Sequence, residues 1–423
     1  MSDERAKRGK RGRDRFAMPL SAQDLIKSAE RAYERLSLSH KSQETAEVAE
    51  RPYDWFSLVQ QPQDPVEPDG ATLQGADLEA WRARFSPFLD YIRNRDVVLV
   101  LSGGGMLLPC HVSVLRVLEL LEVGVSKIYG TSAGAVIGGL YSAGLTTAQL
   151  QQMMLDIDTP DDLFGVGARY PELRFVTNEV RRALLGTTPE ESGVYDLAQV
   201  ERFVTNALIK YVDRVPRLKE LERDFSSIAL DMGTGGEADE NIAKSVLSRR
   251  TTPDLRLSDA ISASMAIPGV FPPKLIGGRY YVDGSVVEQL PIMTTLEEWQ
   301  AGKRRFRTRP LAIIAVDLSV AGNAPSRNKL RNPIDLAIRT YEIHGRIITQ
   351  HSLIRAHRPR RGTSVVLIRP ATLEIDLREI EKIPRALCSA YEETVRQLSG
   401  PGFLDTTLAE LRSARRELGI SRG

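Results

Sequence analysis

The first long apolar run without a polar break is Val97-Val98-Leu99-Val100-Leu101, entered from Asp96 and followed at once by Ser102 and three glycines. Five apolar residues without alternation predict a strand buried on both faces, the kind found in parallel sheets covered by helices. Leu78, Trp81, Phe85, Leu89 and Ile92 recur at helical spacing before it, and Val114, Leu115, Leu118 and Leu121 after it, so the strand is flanked by helices. Residues 126–129 read as a second short strand and residues 135–141 as the next helix. Further strands are expected at 227–230, 280–282, 311–316 and 365–368, with helical patterns between them. This alternation predicts an α/β fold with a mainly parallel central sheet.

Outside that core the pattern thins. Residues 1–19 are basic and poor in large apolar side chains, so they are expected to remain a disordered tail. Ser21 with Asp24 caps an expected helix carrying Leu25, Ile26, Ala29, Tyr33 and Leu36 on one face. The Pro-, Gly- and acid-rich stretch 60–75 then reads as a linker. The expected divisions are the tail 1–19, a helical N-terminal appendage and linker 20–75, a main domain 76–400 with its motifs inside 97–317, and a helical C-terminal tail 401–423. Between 159 and 188 turn signals accumulate around exposed-looking Leu163, Phe164 and Phe175, which suits either a flap over a site or an ordinary surface excursion.

Composition narrows the function classes. The chain has 423 residues, 42% of them hydrophobic and 26% charged, with 57 Lys and Arg against 55 Asp and Glu. A net charge of +2 lacks the electrostatic footprint of a nucleic-acid binder. Arg339, Arg346, Arg355, Arg358, Arg360, Arg361 and Arg369 do form a local basic stretch with His344, His351 and His357. Tyr341 is the one Phe, Trp or Tyr within it, too little interleaving for a nucleic-acid surface, so it reads as a solvated helix face or as a surface for a lipid–water interface or an acidic partner. Cys110 and Cys388 have no C-x-x-C spacing, which argues against a disulfide framework or zinc site and for a reducing cytoplasm. The N-terminus has no apolar signal core, and no stretch approaches 18 uncharged apolar residues, so no membrane span is expected.

Three features could carry chemistry. Gly130-Thr131-Ser132-Ala133-Gly134 is a G-x-S-x-G placed where a strand ends and a helix begins. A serine there sits on a tight turn with small neighbours, and the helix behind it aims N–H groups at developing negative charge. Gly103-Gly104-Gly105 follows the first strand, 27 to 29 residues before Ser132. Both loops should therefore emerge at one edge of the sheet, where backbone N–H groups of Gly104 and Gly105 could bind an oxyanion. Asp283-Gly284 closes the apolar strand 280–282, placing a carboxylate at a strand end. Each has a plainer reading as a packing turn, a nucleotide-anion loop or an Asp-Gly turn. The dinucleotide reading is weak because its third glycine would fall at Leu108, and no Gly-Lys-Ser/Thr follows for a P-loop. None of His40, His111, His344, His351 and His357 has a catalytic setting, and His111 reads as a satisfied helix residue.

Together the triple glycine, the serine pentapeptide, the segment from Leu257 to Pro273 (LSDAISASMAIPGVFPP) and Val282-Asp283-Gly284-Ser285 with Pro291 downstream resemble the patatin-like phospholipase family. The resemblance covers roughly residues 97–317. It implies a three-layer α/β/α fold and a Ser-Asp dyad that hydrolyses lipid acyl esters without catalytic histidine, metal or cofactor. By position it makes Ser132 the nucleophile, Asp283 the base, Gly103, Gly104 and Gly105 the oxyanion loop, Gly130 and Gly134 the flanks of the elbow, and Gly284 the turn at the acid. The expected function is a phospholipase A or lipase type of acyl hydrolase, with a lipid or acyl ester substrate, transient contact with a membrane surface, no nucleic acid, and an oligomeric state left open. The expected location is cytoplasmic, with peripheral association. Met106, Leu107 and Leu108 stand where the family carries an Arg or Lys and a last glycine, Gln289 where it has Asn, and Ser285 where it has Gly or Ala. The missing cation leaves neutral lipids and simpler esters open beside phospholipids. Two rivals remain: an α/β-hydrolase drawing a histidine from His344, His351 or His357, and a catalytically silent lipid-binding or scaffold protein.

Overall fold

The computed structural model describes residues 76–164, 193–234, 243–303, 309–319, 333–371, 375 and 379–417. The expected tail, appendage and linker over 1–75 lie outside them, as do His40 and Phe175. In chain order the elements are α1 (Ala76–Ala83), α2 (Ser86–Ile92), β1 (Asp96–Leu101), α3 (Leu108–Leu120), β2 (Lys127–Thr131), α4 (Ala133–Ser142), α5 (Thr147–Leu155), α6 (Pro160–Phe164) and α7 (Leu197–Val212). They continue with β3 (Phe225–Asp231), β4 (Ala243–Ser248), α8 (Leu257–Met265), β5 (Lys274–Ile276), β6 (Arg279–Asp283), α9 (Ser285–Glu288) and α10 (Ile292–Lys303). The remainder is β7 (Leu311–Val316), α11 (Pro333–Ala356), β8 (Thr363–Ile368), α12 (Ile383–Leu398) and α13 (Asp405–Glu417). The apolar pattern over 78–92 becomes two helices, because Pro87 occupies the first turn of α2, where a missing N–H costs nothing.

The strands form one mixed sheet, mostly parallel. β1 pairs in parallel with β2 and β7, β2 with β3, and β7 with β8. β4 and β6 run antiparallel to β3, and β5 antiparallel to β6. All six expected strands form; β4 and β5 were not anticipated. β4 (AKSVLS) is only partly buried and β5 is three residues long, so neither carries a long apolar run.

Alternate side chains of the buried strands face opposite layers. Leu99, Leu101, Ile314, Val316 and Val366 pack with α3, α4 and α12 on one face. Val98, Val100, Ile313, Val365 and Leu367 pack with Ile292 and Leu296 of α10, Leu353 of α11 and Leu411 of α13 on the other. The result is the expected three-layer α/β/α arrangement, in which each fully buried aliphatic side chain contributes about 1.5–3 kcal/mol. Leu163, read from the sequence as exposed, instead lies in the larger core at 6% exposure, because α6 packs against α7.

One feature of the register positions the site. β4 pairs with β3 along residues 226–231. β2 pairs with residues 225–228 of β3 and β6 with residues 229–231. A strand has only two edges, so β2 and β6 share the edge of β3 that β4 leaves, and they meet end to end.

Candidate active site

Ser132 follows the last residue of β2 and precedes α4, with φ 52° and ψ −119°. A residue with a Cβ rarely adopts that conformation, and here close packing imposes it. A Cβ on Gly130 would lie 2.4 Å from the Gly134 carbonyl oxygen, and one on Gly134 would lie 2.3 Å from that of Leu101. Only glycine fits either place. The Ser132 N–H donates to Ser264 Oγ at 2.9 Å, and the Ser264 hydroxyl donates to the Ile228 carbonyl at 2.5 Å. The Thr131 hydroxyl donates to the Glu288 carbonyl at 3.0 Å. Glu288 itself is buried, accepting the Met293 and Thr294 N–H groups at the start of α10 and the Lys244 ammonium at 3.1 Å.

Asp283 ends β6 and is 1% exposed. Its N–H donates to the Ala266 carbonyl at 2.9 Å, and its Oδ1 accepts the Ser285 N–H at 2.7 Å. Burial pushes its carboxyl up to about 6, against the Ser285 N–H and the hydroxyls of Ser132 and Ser285, which favour the charged form. Ser132 is thus near enough to stabilise the carboxylate. Oδ2 makes no well-formed hydrogen bond among the described residues, so it retains capacity for a proton. Gly284 is required by close approach: a Cβ there would lie 2.2 Å from the Ile228 carbonyl oxygen.

The glycine loop lies against Ser132 and Ser285. A Cβ on Gly103 would meet Ser285 Oγ at 2.5 Å and the Ser132 Cβ at 3.3 Å. Its N–H is engaged by the Gln289 carbonyl at 3.0 Å. Gly103 therefore supplies room within the loop, while its own N–H is taken by Gln289. Among the described residues the N–H groups of Gly104 and Gly105 have no acceptor. Met106, Leu107 and Leu108 are buried in the core, so this segment brings no charge to the cleft.

Two contributors come from α11, beyond every motif read in the sequence. Gly345 lies so close to Gln289 that a Cβ on it would stand 1.7 Å from Gln289 Oε1, and Gln289 Nε2 donates to the Gly103 carbonyl at 3.4 Å. One turn earlier, Tyr341 has its phenol pushed up to about 12 by burial and by the charge of Asp283. Only a glycine inside a helical pattern signalled this approach. Of the four described histidines none hydrogen-bonds Ser132 or Asp283: His111 binds the Ser102 carbonyl, His357 accepts the Val365 N–H, and His344 and His351 are exposed.

The family model described as Patatin-like phospholipase matches residues 99–296. A "Probable lipid hydrolase" of Invertebrate iridescent virus 6 is 28% identical over 46% of this chain and 61% of its own length. An "Uncharacterized NTE family protein" of Mycobacterium tuberculosis is 27% identical over 47% of this chain and 28% of its own. The matched stretch thus spans less than two thirds of either relative. The crystal structure of VipD from Legionella pneumophila aligns over 72% of this chain and 67% of its own, with 14% identity and a TM-score of 0.39.

Proposed function

We propose, for a chain whose residues 99–296 form a patatin-like phospholipase domain, that it hydrolyses lipid acyl esters through Ser132 and Asp283. The observation that carries this reading is a carboxylate only 1% exposed, at the same strand edge as a serine held on a strained strand-to-helix turn; burial pushes that carboxyl up to about 6. Ser132 Oγ attacks the acyl carbonyl while Asp283 Oδ2 takes its proton, and the N–H groups of Gly104 and Gly105 receive the oxyanion. Collapse of the tetrahedral intermediate expels the alcohol, which takes the proton back from Asp283, and leaves an acyl-enzyme. Water then attacks the acyl-enzyme, giving its proton to the same carboxylate, and the fatty acid leaves as Ser132 regains its hydrogen. A carboxylate of ordinary pKa is a weak base toward an alcohol; desolvation strengthens it, and the N-terminus of α4 favours the anion that forms. Losing the loop donors should cost about two to three orders of magnitude in rate.

With Met106, Leu107 and Leu108 in place of a cation, neutral acyl esters are favoured over anionic head groups. Contact with a lipid surface is part of the same reading. Leu336, Ile343 and Ile347 are exposed on one face of α11, with Arg346 and Arg355 also exposed along the helix.

The test is release of product from medium-chain p-nitrophenyl esters and mixed phospholipids. Activity in the wild type that Ser132→Ala and Asp283→Asn both abolish is the expected result, and equal release by all three removes the assignment. Inactivation by replacing His344, His351 or His357 would favour the α/β-hydrolase rival. Failure of a fluorophosphonate to label Ser132 would favour the silent scaffold.

A further inference from the structure

Ser102 precedes the glycine loop, and its carbonyl is where that loop is fastened. The Gly134 N–H, two residues past Ser132, donates to the Ser102 carbonyl at 3.1 Å. His111 Nε2 lies 2.9 Å from the same oxygen. The N–H of the same peptide unit, on Gly103, donates to Gln289 at 3.0 Å. The Ser102–Gly103 peptide plane is therefore held at both ends, and the next peptide carries the Gly104 N–H. The Ser102 side chain is fixed as well, since its Oγ accepts the Leu318 N–H at 2.9 Å, and Leu318 packs on Gly104.

His111 belongs to the first turns of α3 and is wholly buried. A carbonyl oxygen only accepts, so the proton of the neutral ring is on Nε2, and Nδ1 is left as a buried acceptor with no partner among the described residues. Burial pushes the imidazole down to about 4, against the Ser102 carbonyl and the charge of Asp317, which keeps the ring neutral near pH 7. An apolar side chain would fill this volume without an unpaired nitrogen. What the imidazole adds is one directed N–H on the peptide that aims the loop.

We infer that His111 is a positioning residue for this reaction: its Nε2–H fixes the Ser102–Gly103 peptide plane and thereby the direction of the Gly104 and Gly105 donors relative to Ser132. This rests on the acyl-hydrolase reading. It places His111 behind the oxyanion loop, as an aligning hydrogen-bond donor that never meets substrate or exchanges its proton.

The experiment compares His111→Leu, which removes the donor at similar bulk, with His111→Gln, whose amide Nε2 can reach the same oxygen. Steady-state hydrolysis of a p-nitrophenyl ester, the rate of fluorophosphonate labelling of Ser132, and thermal melting are measured for each full-length variant. The expected result is a fall in kcat of about ten- to hundredfold for His111→Leu with KM changed less than about threefold. Labelling slows in parallel, and His111→Gln recovers most of both rates at a similar melting temperature. Should His111→Leu fail to fold, His111→Met replaces it as the variant without a donor. Leucine and glutamine variants equally slow, or both as fast as wild type, would overturn the inference. Wild type that neither hydrolyses nor takes the label overturns the acyl-hydrolase reading and this one with it.

Discussion

Thr131 and Asp283 stand opposite consecutive residues of β3, Thr131 opposite Ile228 and Asp283 opposite Ala229. One belongs to a parallel neighbour and the other to an antiparallel one, so the two strand ends point at each other along a single edge. The residue after Thr131 is Ser132, and its turn opens directly onto the end of β6. The backbone thus brings a serine and an aspartate to the same place on one strand edge. The proposed reaction therefore calls for no imidazole between them.

The buried acid should leave a signature in pH. Asp283 has its carboxyl raised from an ordinary 3.8 to about 6 in the folded protein. The fold therefore binds this proton more tightly than the unfolded chain, and the contribution is fully present below about pH 4 and lost as pH rises through about 6. The shift corresponds to about 3 kcal/mol at most. Denaturant unfolding at pH 5 and pH 8 is expected to show Asp283→Asn gaining on wild type at the higher pH. Hydrolysis runs the opposite way, since only the ionised form accepts a proton: kcat/KM should climb to a plateau with an apparent pKa near 6. A rate that is flat from pH 4 to 8 would exclude Asp283 as the base.

The strained elbow predicts a trade of activity against stability. At φ 52° and ψ −119° a side chain costs on the order of 1–3 kcal/mol, and glycine relieves it while losing about 0.5–1 kcal/mol to its freer unfolded chain. Ser132→Gly should abolish hydrolysis and raise unfolding free energy by about 1 kcal/mol. A loss of stability in that variant would mean that the turn is not strained.

Ser264 shows what could and could not be read beforehand. The segment from Leu257 to Pro273 was legible as a motif, and the six strands expected from the sequence were legible from their apolar runs. The task of Ser264 was not, because a serine on an apolar helix face has no pattern to mark the strained N–H that it satisfies. Nor was the approach of α11, which depends on how the chain returns after β7. Ser264→Ala leaves the buried Ser132 N–H without its acceptor, which costs about 1–3 kcal/mol. Urea titration should show that loss, with hydrolysis reduced and Ser132 still open to fluorophosphonate. Unchanged stability would mean that another group, such as a water, takes over the bond.

The contact between Gly345 and Gln289 predicts a coupling that single substitutions would hide. A Cβ on Gly345 would lie 1.7 Å from Gln289 Oε1, 2.7 Å from its Cδ and 3.0 Å from its Cβ. Gly345→Ala must therefore displace a side chain that also holds the Gly103 carbonyl, and overpacking of this kind costs about 1–3 kcal/mol. Truncating Gln289 to Ala removes the two nearest of those atoms but leaves the backbone bond from Gly103 to the Gln289 carbonyl. In the Gln289→Ala background, then, Gly345→Ala should cost less than about 0.5 kcal/mol, giving a coupling of about 1 kcal/mol or more in a double-mutant cycle of unfolding free energies. Hydrolysis should follow the same pattern, with Gly345→Ala slowing wild type several-fold and scarcely changing the truncated protein. Equal costs in both backgrounds would show that α11 acts on the glycine loop by some route other than Gln289.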